Sequence, residues 1–519
     1  MNPLTRIYVC LLAFSSIGVF FQSPVDAQVN IDVIAITGDA APTPEGGTNG
    51  VFGDFFGSFG NVSINDSGQV LFTAAGIDNS ASGINDNSGL FLGDASGVVS
   101  IARRGQTVPG VGTFSQNFSA QVARNSFLDN SGQVTFNGFL DNVSGSQSRV
   151  LVSDGSSQGL NLITTPPGTP IGGTISTNGS VTVLASNDFL LVNTPDQPTD
   201  FAIAAATGTE IPGFFNGAAG TSIISDFRDF DLDFNDSGTF VFRAETESRL
   251  PNGLTQREDG VFRISDNEIT TLARRATPAP DSANNGDFGS QFSDISVNDA
   301  GQAVFLGSVN ADTLQFNDAL FFSDGENPLS IFAIEGDAAP FAPDRQYNSF
   351  SNPILNDTGQ LVFQAGVTGE TNSTVLILAD LATGELTPIF ETGDAAPDGD
   401  GVFRGGAREV FINDNGQVAF TAPLTNSSNN ISLDEGIFLF DTEQGITQVI
   451  RDERDLLGSQ VASFSLEGFN NRGEIGIDLV LNDRRSGVIV ASVASAIPEP
   501  SGLLLLGIGA VAIATRRRR

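Results

Sequence analysis

Asp229, Asp231 and Asp233, followed at once by Asn235 and Asp236, form the densest group of oxygen donors in the sequence. Calcium is held by oxygen ligands, so this segment is where a calcium ion would be sought. Strand alternation would set Asp229, Asp231 and Asp233 on one side. An EF-hand loop needs Gly at its sixth position, and Phe234 stands there. The competing account makes these residues turn formers and solvated strand edges. Other chemistry is scarce. The chain has no His and no Trp, and every basic residue is Arg. Its one Cys is Cys10, its one Met is Met1, and its two Tyr are Tyr8 and Tyr347. Once the first residues are removed, no thiol, imidazole or amine side chain is left. That excludes disulfides, Cys or His nucleophiles, zinc sites of the usual ligand types and Schiff-base lysines.

An enzyme built on this chain would have to use carboxylates, Arg, Ser or Tyr347. Two carboxylates about 5–9 Å apart can hydrolyse a glycosidic bond. Acidic residues are so abundant that no pair stands out, and no catalytic or cofactor-binding residue is assigned. Sialidase-type propellers carry Ser-x-Asp-x-Gly-x-x-Trp boxes, which a chain without Trp lacks. The 42 Phe fall at strand centres, where packing rather than sugar stacking is expected. Arg103-Arg104 and Arg274-Arg275 occupy equivalent places, as partners of local carboxylates or as an anion-binding rim. The net charge of −36 disfavours nucleic acid and anionic lipid. The hydrophobic fraction of 40% suits a folded chain.

The elements that must position these residues are repeats. Asn-x-x-Gly, followed by alternating apolar residues ending in Phe, occurs at Asn65 to Phe72, Asn235 to Phe242, Asn298 to Phe305, Asn356 to Phe363 and Asn413 to Phe420. Variant copies start at Asp129 and Asn470, and a degenerate one lies around Asn178-Gly179. A second element, Gly-Asp-Ala-Ala-Pro, occurs at Gly38, Gly336 and Gly393, with looser forms at Gly105 and Gly208. It always follows an apolar stretch.

Each unit reads as four short strands. In the first, Phe59 to Ile64, Gln69 to Ala75, Leu90 to Leu92 and Val98 to Ala102 alternate or run apolar between turn signals. Asn and Asp bond to amides just ahead, and Gly supplies positive φ, so Asn65 to Gly68 is a hairpin turn. Val70 and Phe72 face one way and Leu71 the other, so both faces of the second strand must be covered. Four-stranded sheets repeated radially make a β-propeller. The final unit has strands at Phe464 to Phe469, Glu474 to Leu481 and Val488 to Val493, and then stops. Its missing fourth strand matches the segment from Ile31 to Pro42, since Ile34-Ala35-Ile36-Thr37-Gly38-Asp39 parallels Phe332 to Asp337. The expected fold is all-β: a propeller of eight blades, closed by an N-terminal strand, with the degenerate third unit leaving seven open.

The ends read as targeting segments. Residues 1–27 form a secretory signal peptide: Arg6, an apolar run from Ile7 to Phe21, then Val25-Asp26-Ala27 ahead of cleavage between Ala27 and Gln28. An N-terminal membrane anchor is the alternative. At the other end stand Pro498-Glu499-Pro500, an apolar run from Gly502 to Thr515, and Arg516, Arg517, Arg518 and Arg519. These 14 apolar residues, as a helix, reach roughly 21 Å, short of a hydrocarbon core of about 30 Å. The arginines would hold that end on the cytoplasmic side. A plain tail anchor is again the alternative. The ordered triplet of motif, apolar run and Arg cluster resembles the PEP-CTERM sorting signal of Gram-negative bacteria. That resemblance implies recognition by an exosortase, a short transmembrane helix outside the folded domain, and delivery to the cell surface or extracellular matrix. The Asn-x-x-Gly-x-x-x-Phe array also resembles a tandem-repeat family of bacterial surface proteins, with no activity implied.

Three regions follow: a signal peptide at 1–27, a repeat domain at 28–495 and a sorting signal at 496–519. The expected function is a non-enzymatic surface or matrix protein, adhesive, structural or ligand-binding. Extracellular polysaccharide and surface proteins are its candidate partners, and the membrane is met only through the C-terminal segment. The rival is a carboxylate-dependent hydrolase of extracellular polysaccharide.

Overall fold

The repeated turn builds the fold from the inside. Asn65 Oδ1 accepts the amides of Ser67 and Gln69 at 3.1 and 2.9 Å, closing an Asx turn. Gly68 sits at φ 80°, a left-handed conformation that Gly adopts without steric cost. The same geometry recurs in every clear or variant copy, from Gly132 (φ 86°) to Gly473 (φ 77°).

The computed structural model describes residues 28–494 except 54–58, 79–86, 116–125, 143–144, 164–173, 179–180, 186–187, 194–201, 216–217, 250–253, 267, 282–285, 313–314, 370–371 and 428–433. The signal-peptide segment with Ala27, and the sorting segment with Pro498, Glu499, Pro500 and Arg516 to Arg519, lie outside the described residues. Val29–Val493 form one compact unit.

Among the described residues there are eight four-stranded antiparallel sheets, one per repeat, some extended by a short hairpin. In the first blade, Phe59–Ile64, Val70–Ala75, Ser88–Asp94 and Gly97–Arg103 pair in chain order. The degenerate third unit is also a full blade: Thr174–Asn178, Val181–Ala185, Phe189–Asn193 and Ala202–Ala206. Eight blades, not seven, are therefore present. In the last blade, Ser459–Phe469, Glu474–Leu481 and Ser486–Val493 are completed by Val29–Ile36, which runs antiparallel to Ser486–Val493 from Val29↔Val493 to Ile36↔Gly487. The N-terminal strand closes the ring, as the repeat arithmetic requires.

The first strand of each blade is innermost. First strands of neighbouring blades touch from the fourth blade through the eighth and on from the first to the third, and Ser459–Phe469 of the last touches Phe59–Ile64 of the first. Second strands are covered on both faces. Phe72 packs with Val488 and Val490 of the last blade, while Leu71 packs with Val134 and Phe136 of the second. The repeat Phe at 72, 136, 242, 305, 363 and 420 are all at most 1% exposed. They sit in ring clusters such as Phe390, Phe403, Phe420 and Phe438, with centroids 4.4–6.4 Å apart. Each buried ring contributes roughly 1.5–3 kcal/mol. The Phe are core, as their positions in the repeat imply.

The Gly-Asp-Ala-Ala-Pro element joins blades. Gly38 donates to Phe52 O, and Phe52 donates back to Asp39 O. The pattern repeats between Gly393, Phe403 and Asp394, and between Gly336, Tyr347 and Asp337. Each outer strand is thereby folded onto the aromatic that enters the next blade. Tyr347 serves as such an aromatic and is 4% exposed, and burial pushes its hydroxyl up to about 12.

Candidate functional site: the inner rim and the blade clefts

The Asn-Asp turns meet at the inner rim. In six blades the first residue of the turn is an Asn whose side-chain amide donates to the backbone carbonyl of its counterpart one blade on. Asn235 reaches Asn298 O at 2.9 Å, Asn298 reaches Asn356 O at 3.0 Å, and Asn356 reaches Asn413 O at 2.9 Å. Asn413 reaches Asn470 O at 3.1 Å, and Asn470 crosses the seam to Asn65 O at 2.8 Å. Asn65 passes the chain to Asp129 O at 2.8 Å. The second residue of each turn works in parallel, its backbone amide donating to the next blade's side-chain oxygen. The amides of Asp299, Asp357 and Asp414 reach Asp357, Asp414 and Asn471 at 2.7, 2.9 and 2.8 Å. The Asn471 amide crosses the seam to Asp66 at 2.8 Å.

This places a collar of carboxylates around one mouth of the ring. Burial raises Asp357 above the usual carboxylate value, and the charges of Asp299 and Asp414 add to it, while the bond from the Asp299 amide opposes. Burial, then Asp299 and Asp357, raises Asp236 in the same way.

The three aspartates singled out for calcium are in the first strand of the fourth blade, Ala218–Phe234. The expected alternation is interrupted there: pairing breaks between Phe227 and Leu232, so Asp229 and Asp231 fall in a bulge and Asp233 resumes opposite Val241. The Asp229 side chain lies outside the described residues. Asp231 Oδ1 accepts the Ile295 amide at 3.4 Å, and Asp233 Oδ2 accepts the Val297 amide at 2.7 Å. Both carboxylates thus face the inner strand of the fifth blade, Asp287–Val297. Burial pushes Asp233 up to about 6 against the pull of the Val297 and Phe234 amides. Among the described residues no group of three or more acidic side chains is gathered so as to hold a metal ion.

The first arginine of each pair resolves as a structural partner. Arg103 is 2% exposed and donates to Pro42 O and Asn49 O, both at 3.2 Å. Arg274 pairs with Glu258 at 3.1 Å and donates to Ser248. Arg451, at the matching place in the seventh blade, is wholly buried against Asp434 at 2.6 Å and Asp398 at 3.1 Å. Arg104 donates to Asn87, and Arg275 is exposed.

Two features escaped the sequence reading. The first is a run of carboxylates on the inner side of the last two blades. Glu409 Oε2 accepts the Leu466 amide at 3.3 Å. Glu467 stands where the first strand of the last blade breaks register. Burial, then the Glu409 charge, raises Glu467. Burial, then the Glu467 charge, pushes Asp478 up to about 7, and its Oδ1 is buried without a hydrogen-bond partner among the described residues. The second is a polar cleft of about 550 Å³ between the fourth and fifth blades, with Arg263 among its lining residues. Burial lowers the Arg263 value, and Asp324 opposes that. A single charged residue in an apolar repeat position was the available signal.

These observations define an eight-bladed propeller locked by a hydrogen-bonded rim and followed by a sorting tail. The chain belongs to the family of unknown function DUF7453, which matches residues 21–193 and 177–504. The PEP-CTERM protein-sorting motif matches residues 496–519. The motif implies exosortase processing and export to the cell surface. No curated protein matches the chain. Among solved structures it is similar to an oligogalacturonate lyase in complex with manganese, at 12% identity and TM-score 0.39, covering 75% of this chain and 98% of that one. It is also similar to the β-propeller domain of the Trilobed protease from Pyrococcus furiosus, at 10% identity and TM-score 0.38, covering 77% and 100%. A third is the polysaccharide lyase Uly1, at 8% identity and TM-score 0.36, covering 75% and 94%.

Proposed function

We propose that the chain is a non-enzymatic protein of the cell surface or extracellular matrix, with a rigid propeller that serves adhesion, matrix structure or ligand binding. The sorting motif at 496–519 is the observation that carries this. The rim supports it, because the repeat's polar residues are spent on holding blades together. In this reading residues 1–27 are removed between Ala27 and Gln28, and residues 28–495 form the displayed domain. Gly502 to Thr515 crosses the inner membrane briefly as a helix, and Arg516 to Arg519 stay in the cytoplasm until an exosortase acts at the tail. The proposed role needs no metal: a calcium ion at Asp229, Asp231 and Asp233 would compete with the Ile295 and Val297 amides.

The test is fractionation of cells making wild type or a variant with Pro498, Glu499 and Pro500 changed to Ala. Wild type is expected at the surface or in the medium, shortened at its C-terminus. The variant is expected uncut in the inner membrane. Wild type found in the cytosol would overturn the proposal.

A second reading, a carboxylate-dependent hydrolase, has Glu467 and Asp478 in its favour. A raised carboxyl beside another carboxylate is the usual setting of a general acid. Reducing ends released from a polysaccharide by wild type, and not by Glu467→Gln, would separate it from the first.

A further inference from the structure

Arg263 breaks the repeat at a position that is apolar in six of the other seven blades, the degenerate third blade carrying Asn193 there. It lies on the third strand of the fourth blade, Thr255–Ser265, opposite Val241. The corresponding residues in those six blades, paired with the same position of the second strand, are Leu92, Val152, Phe322, Leu378, Leu439 and Val490. Those side chains pack toward the next blade, as Leu92 does beside Gly155. Arg263 meets the equivalent Gly325. A charge placed where the repeat specifies an apolar residue departs from consistent packing, and such departures mark functional sites.

Its surroundings point to a ligand. Arg263 is 7% exposed. Its guanidinium makes one hydrogen bond among the described residues, Nη2 to Gly301 O at 2.8 Å. Nε is buried with no partner there. A guanidinium carries five donors, so most of this one's capacity is unspent. It lines a cleft of about 550 Å³ whose other walls include threonine and serine hydroxyls and the carboxylates of Asp266, Glu268, Asp299, Asp324 and Glu326. That volume is within the usual range for a small-ligand site. The five carboxylates repel anions, and the guanidinium disfavours a simple cation beside it. A neutral ligand rich in hydroxyls suits both, since each hydroxyl can accept from Arg263 and donate to a carboxylate.

We propose that this cleft between the fourth and fifth blades binds a neutral saccharide, with Arg263 as its fixed donor. The proposal rests on the ligand-binding form of the surface reading and names its ligand class.

Affinity electrophoresis tests it. The full chain is run in native gels holding a neutral polysaccharide (a β-glucan, a galactomannan or a xylan) or an anionic one (alginate). Retardation is expected in at least one neutral gel and not in alginate. Arg263→Leu installs the residue type other blades carry, so it should melt no lower than wild type. It should weaken retardation about tenfold or more, the usual effect of losing a charged hydrogen-bond donor. Glu326→Arg, at an exposed position on the same cleft, should weaken it as well. Absence of retardation in all neutral gels overturns the proposal, as does retardation unchanged in both variants. Retardation that ignores Arg263 overturns this site while leaving the surface-protein reading intact, which fractionation alone decides.

Discussion

Asn413 performs four tasks with one side chain. Its Oδ1 accepts the amides of Asn415 and Gln417, and its Nδ2 donates to Gln417 Oε1 and to Asn470 O. Asn413→Ala should cost about 2–4 kcal/mol, since each lost bond leaves a buried group unpaired at roughly 1–3 kcal/mol. Asn413→Asp keeps the acceptor half and should cost less, about 1–2 kcal/mol. The second blade already lives with that arrangement, because Asp129 accepts the Ser131 and Gln133 amides through Oδ1. Chemical denaturation of the two variants checks the order. The turn role of these residues was legible from Asn, Asp and Gly at fixed offsets. The step to the next blade was not, because Asn470 and Asn65 are neighbours only after the ring has closed. Arg263 was legible in principle from strand patterning, but the repeat's signature lies in its turn and second strand, where the fourth blade is regular.

At the scale of elements, strand boundaries followed the pattern closely. Glu474–Leu481 and Phe59–Ile64 have the limits that alternation and turn residues suggest. The bulges were invisible, because alternation says nothing about where an inner strand must bend. Asn61, Asp294 and Asn352 take left-handed φ of 48–52° at those breaks. The closing strand was found by recognising a fourth strand at the wrong end of the chain. Removal of residues 28–37 should leave Ser486–Val493 as an open edge, with Ile489 and Ala491, now buried, on the uncovered strand. Such an edge recruits other chains. The truncated protein is expected to oligomerise or aggregate in size-exclusion chromatography, where wild type gives a single stable species.

At the scale of the whole molecule, acidity sets the response to pH. Burial raises Asp233 to about 6 and Asp452 and Asp478 to about 7, from an ordinary 3.8. A group raised in the folded state holds its proton more tightly there than in the unfolded chain. The stability this gives is full below about pH 3.8, the unfolded value, and is lost progressively as pH climbs through 6 to 7. Carboxylates held low, such as Asp94 and Asp483, act in the opposite sense, and their contribution disappears only as pH falls toward and below 3.8. Melting temperature should thus fall between pH 5 and pH 8. Asp478→Asn should raise it at pH 8 and raise it less at pH 5, which differential scanning calorimetry would show.

The pairing of Val29–Ile36 with Ser486–Val493 also imposes a schedule. A chain that leaves the cytoplasm N-terminus first presents its closing strand before any of its partners exist on that side. Seven blades can form meanwhile, each from contacts within about one repeat, but the latch must wait until Val493 has crossed. Loop closure over such a span is slow, and the waiting strand is an exposed edge. No covalent clasp helps, since residues 28–519 hold no cysteine. Completion of the ring is therefore the last act of translocation, and a chain stalled anywhere before residue 486 remains an open arc.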